Sequence, residues 1–431
     1  MRRRVVITGM GVVTPLGHTV GELFASQVEG RTAVGRITRF DAHTFPTTFA
    51  SEVKGFELGK YIRDASRYHR CGTNTQFALA AGKQALEDAG LLDLARGDRS
   101  RMGVYLGSGE GGDDFKNLTR GIAEASPKEA PAPVNPAVFT SRMMALLDGP
   151  WEGEQEMYTP AGYLADAFAL EGPNQACQTA CAASSQAIGE ALDLIRSGDA
   201  DVMLAGGSHS MIHPLGISGF NRLTALSQRN DSPQTASRPF DLTRDGFVIG
   251  EGAGLVVLEE LDHAMNRKAS IYAELAGYGS TADAFRMTDP HPQGRGAIRC
   301  MAEAIDDAGL APADIGYINA HGTSTQANDS TETAAIKAVF GEYAYKVPIS
   351  SSKSMLGHLI AAAGVVELVI SVMALRNGVV PPTINYQTPD PVCDLDYVPN
   401  QARELKFRHV LSNSFGFGGQ NISLVASRFV D

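Results

Sequence analysis

Short, wholly apolar runs alternate along the chain with longer stretches whose apolar residues recur at helical spacing. Val5-Val6-Ile7, Val104-Tyr105-Leu106, Val202-Met203-Leu204-Ala205 and Gly254-Leu255-Val256-Val257-Leu258 are continuous rather than alternating. Such runs predict strands covered on both faces. A strand is also expected late in the chain, where Ile422, Leu424 and Ala426 alternate with Ser423 and Val425. Helical spacing is clear at Ile188, Leu192 and Ile195, with Gly198 as the stop. A second helix is expected over 359–376, apolar on nearly every side and therefore buried. Residues 359–375 form the longest apolar stretch; it contains Glu367 and is expected to fall short of a membrane span. Strands alternating with helices give the fold class α/β.

The pattern repeats once. Residues 84–91 close a helix at Ala89-Gly90-Leu91, and the strand Val104-Tyr105-Leu106 follows into Gly107-Ser108-Gly109. Residues 304–310 close another at Ala308-Gly309-Leu310, and Tyr317-Ile318-Asn319-Ala320 runs into His321-Gly322-Thr323. The shared order predicts an internal duplication, with similar halves at 1–269 and 270–431 and no flexible linker between them. Residues 113–170, rich in Pro, Gly, Met and Glu, read as the least regular stretch.

Composition narrows the field. With 431 residues, 43% hydrophobic and 20% charged, the chain can bury a large core. A net charge of −11 disfavours nucleic acid and anionic membranes as partners. Five scattered cysteines point to a reducing compartment. Cys177 and Cys181 lie four apart, but no second pair completes a zinc site. Arg2-Arg3-Arg4 before an apolar run mimics a signal peptide; Gly9, Gly11 and Pro15 break that run, so a buried first strand is expected.

Four segments carry candidate chemistry. Cys181 lies among small residues just before a helix, where the helix dipole is expected to lower the thiol pKa and free N–H groups can stabilise an oxyanion. A lone cysteine is more often structural; the small neighbours, which allow a substrate close approach, favour chemistry here. His321 stands on a loop after a strand, with Asp329 and Glu332 at capping-box spacing before the next helix. Lys353 and His358 precede the buried helix, so each needs a polar partner, and Glu367 is the candidate counter-charge. The glycine-rich loop Phe415-Gly416-Phe417-Gly418-Gly419 leads into a strand rather than a helix, which argues against a phosphate loop. Gly9-Met10-Gly11 lacks the third glycine of a dinucleotide fingerprint, since position 14 is Thr14.

Taken in order, these segments resemble the β-ketoacyl-[acyl-carrier-protein] synthases of the thiolase fold, and among them the synthase II type. The likeness runs nearly end to end. It includes Thr179-Ala180-Cys181, Arg238-Pro239-Phe240-Asp241, Gly250-Glu251-Gly252, the His321 loop, Lys353 with Gly357-His358, and the Phe417 loop. It implies a five-layered αβαβα fold. The activity it implies is decarboxylating condensation of a malonyl thioester with an enzyme-bound acyl group, in fatty-acid elongation. Cys181 is then the nucleophile, His321 and His358 the decarboxylating pair, and Lys353, paired with Glu367, the charge that orders them. Phe417 becomes the gating residue beside Phe415, its N–H completing an oxyanion hole with that of Cys181. Thr323, Thr325 and Thr288 are expected to contact the phosphopantetheine arm, with Asp329 and Glu332 in support. The resemblance also implies no metal or organic cofactor, acyl carrier protein as partner, and a cytoplasmic homodimer.

The chain departs from that pattern at Gln420, where a Thr is common, and at Glu110, where an apolar residue usually lines the acyl pocket; residues 150–170 are also longer. Glu110 is therefore expected to alter acyl-chain selection. Arg63, Arg67 and Arg70 are candidates for a carrier-protein patch, although a solvated face is nearly as good a reading. The rival activities are a polyketide or specialised-lipid ketosynthase, a thiolase, and an inactive chain-length-factor partner. The paired histidines argue against the thiolase, and Cys181 argues against the inactive partner.

Overall fold

The computed structural model describes residues 2–92, 99–109, 115–127, 133–147, 149–153 and 156–430. Its main strands are β1 (Val5–Val13), β2 (Met102–Ser108), β3 (Asn174–Cys177), β4 (Val202–His209), β5 (Gly252–Glu260), β6 (Ala273–Ala282), β7 (Tyr317–Asn319), β8 (Ile349–Ser350), β9 (His409–Gly416) and β10 (Gln420–Ser427). They hydrogen-bond in the series β8-β7-β9-β10-β6-β1-β5-β4-β2-β3. Read outward from the centre, β1-β5-β4-β2-β3 and β6-β10-β9-β7-β8 share one order. In both, the two inner pairings are antiparallel and the outer ones parallel. Within the sheet, among the described residues, the halves pair at Val6 with Glu274 and Ile7 with Ala273.

Six helices complete the layers: α1 (Thr73–Asp88), α2 (Thr159–Phe168), α3 (Ala183–Ser197), α4 (Arg295–Asp307), α5 (Gln326–Phe340) and α6 (Ala363–Asn377). Both α3 and α6 touch strands of both halves, so the sheet folds over this central pair. With α1 and α2 outside one half and α4 and α5 outside the other, the arrangement is αβαβα. Three apolar cores fill the layers, the central one built on Ile188, Leu192, Val365 and Val369. The outer helices lie unusually close to the sheet. A Cβ on Gly9 would meet the Ala85 carbonyl at 2.1 Å, and one on Gly277 would meet that of Ala304 at the same distance. The duplicated helix ends of the sequence thus pack on matched glycines.

Two expectations change. Residues 113–170 contain the helices Phe115–Ala125, Pro136–Leu146 and α2. The Asn135 side chain caps the second by accepting from the N–H groups of Ala137 and Val138, with Pro136 in the first turn. The central stretch Ile360–Asn377 does reach the length and composition of a membrane crossing, at 18 residues and mean hydropathy 1.7, yet 83% of it is buried between the sheets.

Candidate active site

Cys181 sits in the 3-10 turn Ala180–Ala182 that links β3 to α3. Ala180 adopts φ +48°, the left-handed region, which costs a non-glycine residue about 1–2 kcal/mol. This sharp turn aims Cys181 at a cavity while leaving it only 5% exposed. The expected lowering of its thiol pKa is not what the site produces. Burial pushes the thiol up to about 11, against the opposing pull of the Lys353 charge and of the Phe417 and Cys181 N–H groups. Desolvation of a thiolate here outweighs the donors around it. Those two N–H groups nevertheless face the sulfur, as an oxyanion hole requires. Cys177 points elsewhere, donating to the Ala183 carbonyl at 3.3 Å, and all five cysteines are free.

His321 follows β7 on a loop held from below. Glu332 Oε1 accepts the His321 N–H at 2.9 Å and Oε2 accepts that of Gly322 at 2.8 Å. Asp329 accepts the Phe240 N–H at 2.8 Å and lies 3.5 Å from Arg244. The capping-box reading of these two acids is therefore wrong. Thr325 is the N-cap of α5, accepting the Asn328 N–H at 3.3 Å, and Asp329 and Glu332 lie inside the helix as buried braces. Burial raises both carboxyl pKa values, against the hydrogen bonds and charge that oppose it.

Lys353 and Glu367 form a buried ion pair, both 2% exposed. Burial pushes Glu367 up to about 7 against the neighbouring Lys353 charge. Lys353 Nζ also lies 3.3 Å from His321 Nδ1. An ammonium donates, so that nitrogen accepts and the proton of a neutral His321 sits on Nε2. His358 reaches the same state differently: its Nδ1 accepts the Ile360 N–H at 3.2 Å. Its Nε2 is buried without a protein partner. Burial, reinforced by the Lys353 charge, holds both imidazoles well below their usual pKa. Their ring centroids are 5.4 Å apart, nearly perpendicular. One ring nitrogen from each and the Cys181 sulfur lie within 4.8 Å of one another, close enough in geometry to ligate a metal.

The cavity in front of this triad is also lined by Phe415, Phe417, Thr323, Thr325 and Thr288. The Thr323 and Thr325 hydroxyls hydrogen-bond at 2.9 Å. Phe415 tilts against His321 at 5.9 Å between centroids. Phe417 starts the hairpin turn between β9 and β10, which Gln420 closes opposite Gly416. The Gly418 N–H donates to the Met287 carbonyl at 2.6 Å, tying that turn to the loop of Thr288 at the mouth. Cys181, His321, His358, Phe415, Phe417 and the three threonines thus meet at one cavity, Lys353 stands behind His321, and Glu110 lies outside the described residues. Arg63, Arg67 and Arg70 are exposed, and Arg67 pairs with Asp166 at 2.8 Å. The sequence reading missed Phe247, which packs edge-on against His358 at 5.2 Å, and the Asp283–Asn421 bond of 3.0 Å at the cavity rim. Phe247 stands three residues before Gly250-Glu251-Gly252, a motif whose neighbours were the available signal.

Comparison with known proteins matches residues 2–264 to the β-ketoacyl synthase N-terminal domain and 272–387 to the β-ketoacyl synthase C-terminal domain. The chain is 46% identical to 3-oxoacyl-[acyl-carrier-protein] synthase 2 of Coxiella burnetii, with all of both chains covered. It is 44% identical to the protein of the same name from Synechocystis, with 99% of both covered. Among solved structures, a β-ketoacyl synthase from Burkholderia phymatum superposes with a TM-score of 0.89 at 36% identity, over 99% of this chain and 100% of that one. A type II polyketide ketosynthase solved with its acyl-carrier protein and a bound hexaketide gives 0.88 at 36% identity, covering both chains fully.

Proposed function

The chain belongs to the β-ketoacyl synthase family, and from that premise we propose how its residues divide the work of a 3-oxoacyl-[acyl-carrier-protein] synthase. The overall reaction is a decarboxylating condensation: malonyl-carrier thioester and an enzyme-bound acyl group give 3-oxoacyl-carrier protein and carbon dioxide. Cys181 takes the acyl group as a thioester, splitting one difficult step into two. Because its thiol is held protonated by burial, its proton must leave during attack, and it ends on the carrier thiolate that departs. The Phe417 and Cys181 N–H groups stabilise the tetrahedral oxyanion. His321 and His358, both neutral with Nε2–H turned to the cavity, donate to the enolate that forms as carbon dioxide leaves. The observation that carries this reading is the convergence of Cys181, His321 and His358 within 4.8 Å, with Lys353 fixing one imidazole and Ile360 the other.

Thr323, Thr325 and Thr288 guide a pantetheine arm past the mouth. Acyl carrier protein brings it, docking near the mouth or at the Arg63–Arg70 segment. The chain needs no metal or organic cofactor for this chemistry. It works as a cytoplasmic homodimer, and the half-open edge of β3, where Asn174 and Gln175 are exposed, supports pairing there. The halves 1–269 and 270–431 contribute the nucleophile and the histidines respectively. Fatty-acid elongation is the better pathway reading, since the 3-oxoacyl-[acyl-carrier-protein] synthase 2 relatives exceed the polyketide ketosynthase in identity.

His321→Ala and His358→Ala should each slow release of carbon dioxide from malonyl-carrier thioester by about 10²–10³, the typical cost of one preorganised donor. Both should still form an acyl adduct on Cys181 by intact mass. Release at the wild-type rate from either variant would remove that histidine from the mechanism.

A further inference from the structure

The nucleophile comes from one half of the molecule and both histidines from the other, so bond formation depends on how the halves are registered. That registration is made where α3 and α6 begin. Each helix follows a 3-10 turn of three residues, Ala180–Ala182 and Ile360–Ala362, opened by a left-handed residue, with φ +48° at Ala180 and +45° at Ile360. Counted from these turns, Cys181 matches Ala361, Ser184 matches Gly364, and Ser185 matches Val365.

The two matched pairs meet crosswise, Ser184 with Val365 and Ser185 with Gly364. Ser184 Oγ accepts the Val365 N–H at 3.0 Å, satisfying one of the donors that the first turn of α6 cannot pair within itself. Gly364 leaves the room. A Cβ there would lie 1.9 Å from Ser185 Oγ and 2.7 Å from Ser414 Oγ, and those two hydroxyls hydrogen-bond at 2.9 Å. Only one helix can carry a side chain at this crossing, and it is the helix behind Cys181. Ser414 lies on β9 two residues before Gly416, whose Cβ would sit 3.4 Å from the Cys181 nitrogen. All four residues at the crossing, Ser184, Ser185, Gly364 and Ser414, are buried.

We propose that Ser184, through its hydrogen bond to the Val365 N–H at the start of α6, is a positioning residue that couples decarboxylation to carbon–carbon bond formation. The proposal rests on the functional reading above. In the productive path, loss of carbon dioxide leaves its bonding pair in an enolate held by His321 and His358. The enolate carbon bonds to the acyl carbonyl carbon, the carbon–sulfur bond breaks, and Cys181 leaves as a thiolate that regains a proton. In the wasted path, the enolate carbon takes a proton from water and acetyl-carrier thioester forms beside carbon dioxide. Acylation needs Cys181 and its oxyanion donors, and decarboxylation needs the histidine pair. Only the joining step needs both at a fixed separation.

The test follows three quantities in the full-length enzyme: the Cys181 acyl adduct by intact mass, carbon dioxide released, and 3-oxoacyl product. In Ser184→Ala, product per carbon dioxide should fall by about tenfold, because sub-ångström misplacement of reacting atoms is costly. Acylation and carbon dioxide release should stay within about twofold, since neither needs the link. Gly364→Ala should uncouple at least as strongly; if it does not fold, Ser184→Ala decides alone. Ser26→Ala, which deletes a buried hydroxyl bonded to the Leu16 carbonyl far from the site, is the control. A wild-type product ratio in Ser184→Ala would overturn the proposal, as would equal uncoupling in Ser26→Ala. Absence of acylation or carbon dioxide release in the wild type would instead count against the functional reading.

Discussion

The two central helices begin from nearly the same backbone and end up in different chemistry. The turn before α3 rests against the strand end of the opposite half, where a Cβ on Gly416 would lie 2.9 Å from the Thr179 carbonyl. The turn before α6 does the same in reverse, with Gly207 of β4 placed 2.7 Å from the Ala361 carbonyl on the same measure. One turn carries Cys181 and opens on the cavity; the other carries Ala361 and is sealed, at 0% exposed. Three residues before each stand Gln178 and His358. Gln178 spends its amide on the Gly109 carbonyl, whereas His358 keeps Nε2 for the cavity. A strained turn at a helix start is therefore not a catalytic device in itself. It becomes one where the neighbouring loops leave space and the side chain can exploit it.

The sharpest way to break this comparison is to move the sulfur. Cys181→Ala should abolish the acyl adduct from carrier thioesters. Adding Ala361→Cys to that variant should not restore it, because position 361 is fully buried. An adduct at position 361 would mean that backbone geometry alone suffices. Intact mass with peptide mapping reads both results, and Cys177, pushed up to about 12 by burial, should stay unmodified.

A second contrast concerns charge. Among the described residues, the turn at Cys181 has no counterpart of the Lys353–Glu367 pair, which lies behind His321. Glu367→Gln leaves the Lys353 ammonium buried without its counter-charge. That should lower stability by about 3–5 kcal/mol, the usual result of removing one partner of a buried pair. Urea unfolding measures it; a loss under about 1 kcal/mol would show that water or another group replaces the carboxylate.

The sequence made much of this visible because duplication leaves physical marks. Ala89-Gly90-Leu91 and Ala308-Gly309-Leu310 are alike because each ends a helix that must pass a strand at glycine distance, Gly9 in one half and Gly277 in the other. Cys181, His321, Lys353 and His358 were visible as reactive residues in small-residue or buried settings. Their convergence was not: nothing local in either segment shows that the turn at Cys181 meets the loop at His321. The sign of the Cys181 shift was misjudged for the same reason. A helix start is a local feature, but the desolvation that overrides it comes from walls such as Phe247, Ile249 and Ile360, far away in sequence. Asp329 and Glu332 were read as a cap because spacing reports helix position and not burial. Their partners, Phe240 and Asn413, lie 89 and 81 residues away along the chain.

The smallest effect isolates a single imidazole. His358 is held well below its ordinary value by burial first, then by the charges of Lys353 and His209. Its folded form therefore binds fewer protons than its unfolded form wherever the unfolded group titrates. A group of this kind stabilises the fold fully above pH 6.5 and loses that contribution as pH falls below it. Wild-type stability alone does not show this. His321 and His209, the latter down at about 3, act in the same direction, while Glu367, Glu332, Asp329 and Glu251 have raised values and act in the opposite one. The difference between wild type and His358→Gln removes those shared terms. Between pH 6.5 and about 5.5, the wild type should lose about 1 kcal/mol more unfolding free energy than the variant. Parallel urea titrations at the two pH values read that difference. Equal slopes would mean that His358 takes up its proton inside the fold, and a neutral Nε2–H donor would then be the wrong description of this side of the cavity.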